Sequence, residues 1–398
     1  MQPVRLAVIT NVIPHYRQSF YEALFARQEL DVTLYCQAEI PGMNLRTVHA
    51  QFADRVRLVS TSVAPRERLG WQHLPWHELL NDYDVLFVYA NPRILSNVCF
   101  ASWAALRGKS VVLWGPARSA RAGGLGARLR LLWWRQFCAL FVYTDREVEW
   151  LRSVGFRRQE VVGMNNGLDQ SAIDRAASAW NATSLREWRV RQGLAERPLI
   201  LSCARLEPKN DFACWLAAMP AVLRAVPDLL WCVIGDGPEA DALRAQAAQH
   251  GVADHVLWLG SIHEENELAP WFLSAAALVH PSAVGLSLLH AFGYGLPVIT
   301  HDDPADQMPE YAAFTAGETG MTYRRGDADD LARVTIAYLA DPARHGALSA
   351  AALRVAREQY NVRVMVDRFV NLAVRVSPQR AANPAADDRP RAPQAPRL

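Results

Sequence analysis

Short runs of β-branched and other apolar residues alternate with longer helical patterns along most of the chain. Six such runs lie in the first half, VRLAVIT, DVTLYC, VRLVS, DVLFVYA, SVVLWG and ALFVYT, and five in the second half, PLILSCARL, LLWCVIGDG, HVLWLGS, AALVHPS and LPVITHD. Strands that alternate with helices predict parallel sheets covered by helices. Because 398 residues exceed what one hydrophobic core usually supports, we expect two doubly wound α/β domains.

The domain limits follow from the same pattern. We predict one Rossmann-like domain over residues 1–180, a second over residues 181–358 and an amphipathic helix over residues 359–376. The tail, residues 377–398, is rich in Pro and Arg and has no aromatic residue, so we expect it to be disordered. Ligands of such folds bind at the carboxyl ends of the strands, which directs attention to the loops after each strand.

Composition and charge limit the class of protein. The chain is 51% hydrophobic and 21% charged, as in ordinary globular enzymes. Residues 1–180 carry 21 basic and 15 acidic side chains, and residues 181–376 carry 17 and 23. This asymmetry suggests different partners for the two halves, although arginines that merely solvate an Ala-rich surface explain it equally well. The six scattered cysteines favour reduced thiols in the cytoplasm, and no apolar run is long enough to span a membrane.

Two cations follow the first strand of the second series. Arg205 and Lys209, in CARLEPKNDF, stand at a strand end and a helix start, where two positive charges suit a diphosphate. Of the 42 basic residues, 40 are arginines and two, Lys109 and Lys209, are lysines. A lysine at this position therefore indicates a need for a compact ammonium group. The alternative is a pair of cations that only caps a helix.

Glycine turns accompany these cations. VIGDGPE places Gly235 after a strand, in a turn that is weak evidence alone because such turns are common for steric reasons. In AVGLSLLH, Gly285 opens a helix whose first N–H groups a phosphate could approach. Gly295, in YGLPV, is the signal that ends this helix.

Taken in order, these motifs resemble those of the family-4 retaining glycosyltransferases (glycosyl transferases group 1), which have the two-domain GT-B fold. The motifs are Arg…Lys after a strand, G-D-G-P, P-S-x-x-G-L, G-x-P-V-I and MPE…GETG…GDADDL, and the resemblance covers most of residues 199–376. It implies two Rossmann-like domains that face each other across a cleft, with the nucleotide-sugar on the second domain and the acceptor on the first. It also implies that the helix over residues 359–376 crosses back toward the first domain.

The resemblance assigns a role to each matching residue. Arg205 and Lys209 would bind the donor diphosphate and stabilise its developing charge. The remaining donor-binding positions would be Gly235, Gly260, Ile262, Ser282, Gly285, Leu286, Ser287 and Glu310, with Gly260 and Ile262 near the base. Ser282 and His290 stand where the family has two glutamates. A neutral imidazole can accept one hydrogen bond and donate another, so His290 would hold the ribose in an active site with altered donor preference.

On the acceptor side the resemblance is looser. The loops after the first-half strands carry Asn11, His15, Tyr16, Arg17, Asn91, Arg93, Trp114 and Arg118. The family's histidine is replaced by Gly115-Pro116, and His15 is its nearest substitute, although a lone histidine is more often structural. The implied reaction moves a hexose or deoxyhexose from a nucleoside diphosphate sugar to a glycan or lipid-linked acceptor with retention, in bacterial surface polysaccharide or lipopolysaccharide synthesis.

Other candidate chemistry is set aside or left open. GDADDL and HDDP contain metal-friendly residues, but the first is expected to cap a helix, so we expect no metal and no cofactor. Residues 118–137 mix arginines with Leu and Trp, which is typical of a helix resting on an anionic membrane or of one with its apolar face in the core. We expect no nucleic-acid partner. A sugar-nucleotide epimerase or hydrolase, and a non-catalytic partner subunit, are the alternative functions.

Overall fold

The protein folds into two compact units. The structure, a computed structural model, describes residues 2–40, 46–63, 69–117 and 125–378. The first unit contains the described residues up to 143, residues 147–164 and those from 366 onward. The second contains residues 144–146 and 165–365. Each unit has its own parallel sheet, which confirms the predicted α/β class.

The first unit is built on seven strands that form one parallel sheet. These are β1 (Val4–Ile9), β2 (Leu30–Cys36), β3 (Val56–Leu58), β6 (Val85–Tyr89), β7 (Ser110–Trp114), β8 (Ala139–Val142) and β9 (Glu160–Gly163). Their order is β3-β2-β1-β6-β7-β8-β9. A separate antiparallel pair, β4 (Thr61–Val63) and β5 (Gly70–Gln72), lies between β3 and β6 in the chain.

The second unit repeats the arrangement with six parallel strands. These are β10 (Leu199–Cys203), β11 (Leu230–Ile234), β12 (Val256–Gly260), β13 (Ala277–Val279), β14 (Val298–His301) and β15 (Gly320–Tyr323). Their order, β12-β11-β10-β13-β14-β15, reverses direction at β10. Ligands of doubly wound folds bind at such a reversal, outside the carboxyl ends of the strands.

Helices connect the strands. Those that begin before β10 are α1 (Gln18–Phe25), α2 (Trp76–Asn81), α3 (Leu95–Leu106), α4 (Leu125–Trp134), α5 (Asp145–Ser153), α6 (Gln170–Ser178) and α7 (Ala182–Arg191). Those after it are α8 (Phe212–Ala225), α9 (Ala240–Gln249), α10 (Glu265–Ser274), α11 (Leu286–Gly293), α12 (Ala328–Leu339), α13 (Pro342–Glu358) and α14 (Val362–Val376).

Burial of the strands on both faces explains why their sequences read as apolar runs. Every residue of β11 and β13 is buried, as parallel strands covered by helices require. In the first unit the last helix contributes to the core, because the ring of Phe369 lies 4.2 Å from that of Phe87 and 5.5 Å from that of Phe141, centroid to centroid.

The first unit ends earlier in the chain than the sequence suggested. We expected the boundary at residue 180, but residues 165–180 pack with the second unit, where α6 contacts α10 and α11. The reason is local. A Cβ on Gly167 would lie 2.4 Å from the backbone of Asn361, so the chain after residue 164 passes directly against the start of α14. From residue 366 onward, α14 belongs to the first unit.

Candidate functional site

An open cavity of about 610 Å³ lies at the carboxyl ends of β10, β11 and β12. The residues that line it come from three consecutive loops of the second unit: Cys203, Ala204, Arg205, Ile234, Gly235, Asp236, Gly237, Ser261, Ile262 and His263. The predicted residues Arg205, Gly235 and Ile262 therefore meet at one cavity. Its size falls in the range of small-ligand sites.

Two glycines fix the shape of this cavity by letting two loops touch. Gly235 has a φ of 145°, and a Cβ there would lie 2.0 Å from the carbonyl oxygen of Ala204. A Cβ on Gly237 would lie 2.3 Å from the carbonyl oxygen of Leu206. The close approach allows Ala204 N–H to donate to Ile234 O at 3.1 Å and Leu206 N–H to donate to Asp236 O at 3.0 Å. The loop that carries Arg205 is thus braced on both sides of that residue.

The two predicted phosphate-binding cations share one carboxylate. Arg205 Nε lies 3.1 Å from Glu207 Oε1, and Lys209 Nζ lies 2.8 Å from Glu207 Oε2. The hydrogen bond from Lys209 is the main reason why the pKa of Glu207 lies below its usual range. Both cationic side chains are otherwise largely exposed. An incoming phosphate would therefore compete with Glu207 for both positive charges.

The start of α11 offers free backbone donors. Gly285 precedes the first helical residue, Leu286. Within the described chain the N–H groups of Leu286 and Ser287 have no hydrogen-bond partner. Such groups at a helix start, together with the helix dipole, favour an anion. The atoms nearest to a Cβ on Gly285 would be those of Met308 and Glu310, between 3.7 and 3.9 Å away, which is an ordinary contact distance.

Glu310 lies beside this helix start. It is buried, and its Oε1 accepts a hydrogen bond from Asn166 Nδ2 at 2.8 Å. Its Oε2 is the atom that comes within 3.9 Å of the position a Gly285 Cβ would occupy. Glu310 and Gly285 are therefore brought together, and Asn166 is a further polar residue that the sequence did not single out.

Ser282 contributes its backbone to the turn after β13. Its carbonyl oxygen lies 3.2 Å from His280 Nδ1 and accepts a hydrogen bond from Thr300 Oγ1 at 3.3 Å. Burial lowers the pKa of His280 to about 4, so that imidazole is neutral at pH 7 and donates through Nδ1. The hydroxyl of Ser282 has no hydrogen-bond partner in the described part of the chain.

His290 pairs with a carboxylate from the neighbouring helix. Its Nε2 lies 2.7 Å from Glu265 Oε1, at the start of α10, and Tyr294 Oη donates to the same oxygen at 2.5 Å. Burial alone would raise the pKa of Glu265, but the hydrogen bonds from His290 and Tyr294 outweigh it and leave the pKa below its usual range. Burial, with a smaller contribution from Glu265, raises the pKa of the cavity-lining Cys203 to about 12. Glu265 follows the cavity-lining residues Ser261, Ile262 and His263 in the chain, two positions after the last of them.

The predicted acceptor-side residues after β1 and β7 form a cluster in the first unit. Arg17 is buried, its guanidinium carbon lies 5.9 Å from the ring centroids of both Trp114 and Tyr143, and its Nη1 contacts Met164 Sδ. It forms no ion pair with any described carboxylate. Trp114 Nε1 donates to Ile9 O at 3.2 Å, which ties the ends of β7 and β1 together.

The other acceptor-side residues are more exposed. His15 and Tyr16 pack edge to face, and His15 Nδ1 lies 3.4 Å from Arg46 O. Asn11 has a buried Oδ1 with no partner in the described residues. After β6, the N–H of Arg93 donates to Asn91 Oδ1, which closes a tight turn. Arg118 lies outside the described residues.

The described part of the predicted membrane helix, α4, has two faces. Trp134 is fully buried, whereas Leu129 and Leu132 are 57% and 60% exposed. Trp133 Nε1 donates to Ser102 Oγ and so joins α4 to α3, whose Trp103 and Leu106 are 44% and 80% exposed. Helices long and apolar enough to cross a membrane were not found in the described ranges.

The acidic motifs that could suggest a metal have other partners. Asp327 accepts a hydrogen bond from the N–H of Asp330 at the start of α12, as a helix cap does. Asp303 and Asp306 pair with Arg325. Clusters of three or more potential metal ligands are not found among the residues that the structure describes.

Comparison with known proteins shows similarity to glycosyltransferases. Residues 197–341 match the family model "Glycosyl transferases group 1". The chain is 29% identical over 194 residues to a GDP-mannose-dependent alpha-(1-6)-phosphatidylinositol monomannoside mannosyltransferase of Mycolicibacterium smegmatis, covering 46% of this chain and 50% of that protein. The chain spans half or less of the length of the curated relatives it matches.

Two solved structures share the fold over nearly the whole chain. A glycosyltransferase from Rickettsia africae has a TM-score of 0.69 at 10% identity and covers 94% of this chain and 99% of its own. HepE of Anabaena, in complex with UDP, has a TM-score of 0.67 at 14% identity and covers 94% and 100%. The chain therefore has the fold of the GT-B glycosyltransferases. More particularly, residues 197–341 match the model of the group 1 family, which is the family that the sequence resembles.

Four residues near the site escaped the sequence analysis, one of which is Asn166, the partner of Glu310. Glu207 stands between the two cations in the chain. Glu265, at the start of α10, pairs with His290 on α11 and accepts a hydrogen bond from Tyr294 at the end of that same helix. The sequence could have indicated Glu207, because it is an acidic residue between the basic Arg205 and Lys209. Glu265 lies 25 residues from His290, and nothing local links the two positions.

Proposed function

We propose that this protein is a family-4 retaining glycosyltransferase that moves a hexose or deoxyhexose from a nucleoside diphosphate sugar to a glycan or lipid-linked acceptor. The observation that carries the proposal is the cavity at the carboxyl edge of the second sheet. It has Arg205 in its wall and a braced glycine loop around it. The free N–H groups at the start of α11 follow β13, the strand that neighbours β10 in the same sheet. Cations and free helix-start amides on one sheet edge suit a diphosphate.

The chemistry follows from these groups. An acceptor hydroxyl oxygen forms a bond to the anomeric carbon while the bond from that carbon to the diphosphate breaks. With retention, the acceptor proton passes to an oxygen of the departing phosphate on the same face. Arg205, Lys209 and the amides of Leu286 and Ser287 neutralise the charge that grows on the leaving group. These cations supply the charge that a metal ion would otherwise provide.

The donor sugar would be read by polar groups near the helix start. The hydroxyl of Ser282 has no described partner, and Glu310 presents its Oε2 beside Gly285. Ile262 lines the cavity next to Gly260 and would pack against the base. A sequence relative uses GDP-mannose according to its name, so guanosine and uridine diphosphates are the first donors to try.

The acceptor would bind on the first unit. Asn11 and Arg17 have hydrogen-bonding capacity that the described protein leaves unused, and Tyr16, Asn91 and Arg93 lie on the same edge of the sheet. The sequence relative acts on a phosphatidylinositol mannoside according to its name, which supports a lipid-linked acceptor.

A lipid-linked acceptor requires a surface that meets a membrane. Residues 85–144 contain eight basic side chains and no acidic one. Exposed Trp103, Leu106, Leu129 and Leu132 lie on the two helices of this stretch, α3 and α4, which Trp133 joins. Apolar side chains among arginines favour an anionic lipid surface. We therefore place the enzyme at the inner face of the cytoplasmic membrane, in surface polysaccharide or lipopolysaccharide synthesis.

The test combines binding and turnover. UDP or GDP should raise the melting temperature of the wild type, and Lys209→Ala should lose this shift and about 10²–10³ of the turnover rate. Arg224→Ala, which removes an exposed cation of α8, is the matched control. Unchanged turnover in folded Lys209→Ala would refute the proposal. Consumption of the donor without acceptor would favour the epimerase or hydrolase, and no binding by any nucleotide would favour the non-catalytic partner.

A further inference from the structure

Glu265 and His290 form a pair that offers hydrogen-bond acceptors, whereas the phosphate-binding groups are cations and N–H donors. Glu265 Oε1 accepts from both His290 Nε2 and Tyr294 Oη, so one carboxylate oxygen is fully used. Glu265 Oε2 and His290 Nδ1 have no hydrogen-bond partner among the described residues, and neither is a buried unsatisfied atom. Two free acceptors therefore reach solvent.

The surroundings hold these two acceptors in place. His290 packs against Phe272 at 4.5 Å between ring centroids, and Tyr294 stacks on the same ring at 5.1 Å. The lowered pKa of Glu265 keeps it ionised near neutral pH. An ionised carboxylate accepts hydrogen bonds only, and it repels phosphate. The group that it binds must therefore bring donors and no negative charge.

The position of His290 on α11 indicates which uncharged, hydrogen-bond-donating group Glu265 would bind. Leu286 and His290 are four residues apart and so lie on one face of the helix, separated by about one turn, roughly 5–6 Å. A diphosphate at the free amides of Leu286 and Ser287 would place the next part of a nucleotide beside His290. In a nucleoside diphosphate, that part is the ribose, which carries two neighbouring hydroxyl groups.

We infer that Glu265, oriented by His290 and Tyr294, is the residue that binds the ribose hydroxyls of the donor and makes the protein select ribonucleotides over deoxyribonucleotides. The inference rests on the proposed function, because it requires a nucleoside diphosphate in the cavity. Ser282 and His290 occupy the two positions where acidic residues were expected. Glu265 of α10 would supply the carboxylate that these two positions lack.

The experiment measures the affinities of UDP and GDP, of their 2′-deoxy analogues and of inorganic pyrophosphate by calorimetry. Wild type should bind the better ribonucleotide about tenfold to one hundredfold more tightly than its deoxy analogue, as expected for a hydrogen bond to a charged group. Glu265→Gln should reduce this preference to less than about threefold without weakening the binding of pyrophosphate. Glu267→Gln, on an exposed position of the same helix, should behave as wild type.

Each contrary result has a distinct meaning. A folded Glu265→Gln variant that keeps the wild-type preference for ribose would overturn the inference and leave the donor site intact. Equal binding of the ribonucleotide and its 2′-deoxy analogue by wild type would do the same. If the variant instead loses discrimination between GDP and UDP while it still prefers ribose, the carboxylate reads the base and the inference is wrong. If wild type binds neither nucleotide nor pyrophosphate, the proposed function itself fails.

Discussion

Substituting alanine for the glycines after β11 tests whether the two loops around Arg205 are held by direct backbone contact. Three glycines separate the contributions. Gly235 combines a positive φ with a Cβ position 2.0 Å from Ala204 O, and Gly237 has a Cβ position 2.3 Å from Leu206 O. Gly251 has a φ of 69° with open space around it. Ordinary Cβ contacts begin near 3.4 Å, so at the first two positions a loop must move by more than 1 Å.

The expected losses of folding free energy follow from these distances. At Gly251, the backbone conformation costs about 1–2 kcal/mol, of which the reduced entropy of the unfolded chain returns about 0.4–1 kcal/mol. At Gly237, overpacking costs about 1–3 kcal/mol, and the weakened hydrogen bond between the loops adds about 1 kcal/mol. Gly235→Ala carries both kinds of cost and should lose about 3–6 kcal/mol.

Urea unfolding followed by circular dichroism, with the three variants side by side, measures these differences. Nucleotide affinity is the second readout, because the loop that must move carries Arg205. Gly235→Ala and Gly237→Ala should weaken UDP or GDP binding, and Gly251→Ala should not. If Gly237→Ala is no more destabilising than Gly251→Ala, close contact is not the reason for glycine at this turn.

Two further predictions concern surface charge and surface apolar groups. Glu207→Gln should tighten nucleoside diphosphate binding by about two- to fivefold in calorimetry, since an exposed ion pair of about 0.2–1 kcal/mol no longer competes with phosphate; weaker binding would show that Glu207 orders the loop instead. Leu106→Ser with Leu132→Ser should reduce sedimentation with vesicles that contain phosphatidylglycerol, whereas Val190→Ser, an exposed apolar residue of the second unit, should not. Equal sedimentation of all three proteins would exclude α3 and α4 as the membrane surface.

Strands that lie within the β-branched and apolar runs were predictable, even the three-residue β3 and β13, and strands outside those runs were not. All eleven predicted runs contain a strand of the structure. The missed strands are short. β9 begins with the exposed Glu160, and β15 opens with a glycine. In each case the sheet partner supplies the stability: β9 pairs with β8, and β15 pairs with β14. Tertiary pairing of this kind leaves little trace in the local pattern.

The boundary between the units shows the same limit. The turn-rich stretch GMNNGLD was visible as a break, but α6 follows it as an ordinary polar helix, so the local pattern provides no reason to divide the chain there. The structure does so because Gly167 permits backbone contact with Asn361, almost 200 residues later. Likewise, Glu265 and His290 meet only because the fold brings the first residue of α10 to a side chain of α11.

The core of the first unit has a consequence for the order of synthesis. Its strands are translated before the second unit, yet Phe369, which packs on Phe20, Phe87 and Phe141, is translated after it. Until then the aromatic face of this sheet lacks its cover, although the whole second unit has already been translated. The first unit therefore completes its core after the second unit has been made. A nascent or truncated chain that stops before α14 exposes the apolar face of this sheet and is prone to aggregate.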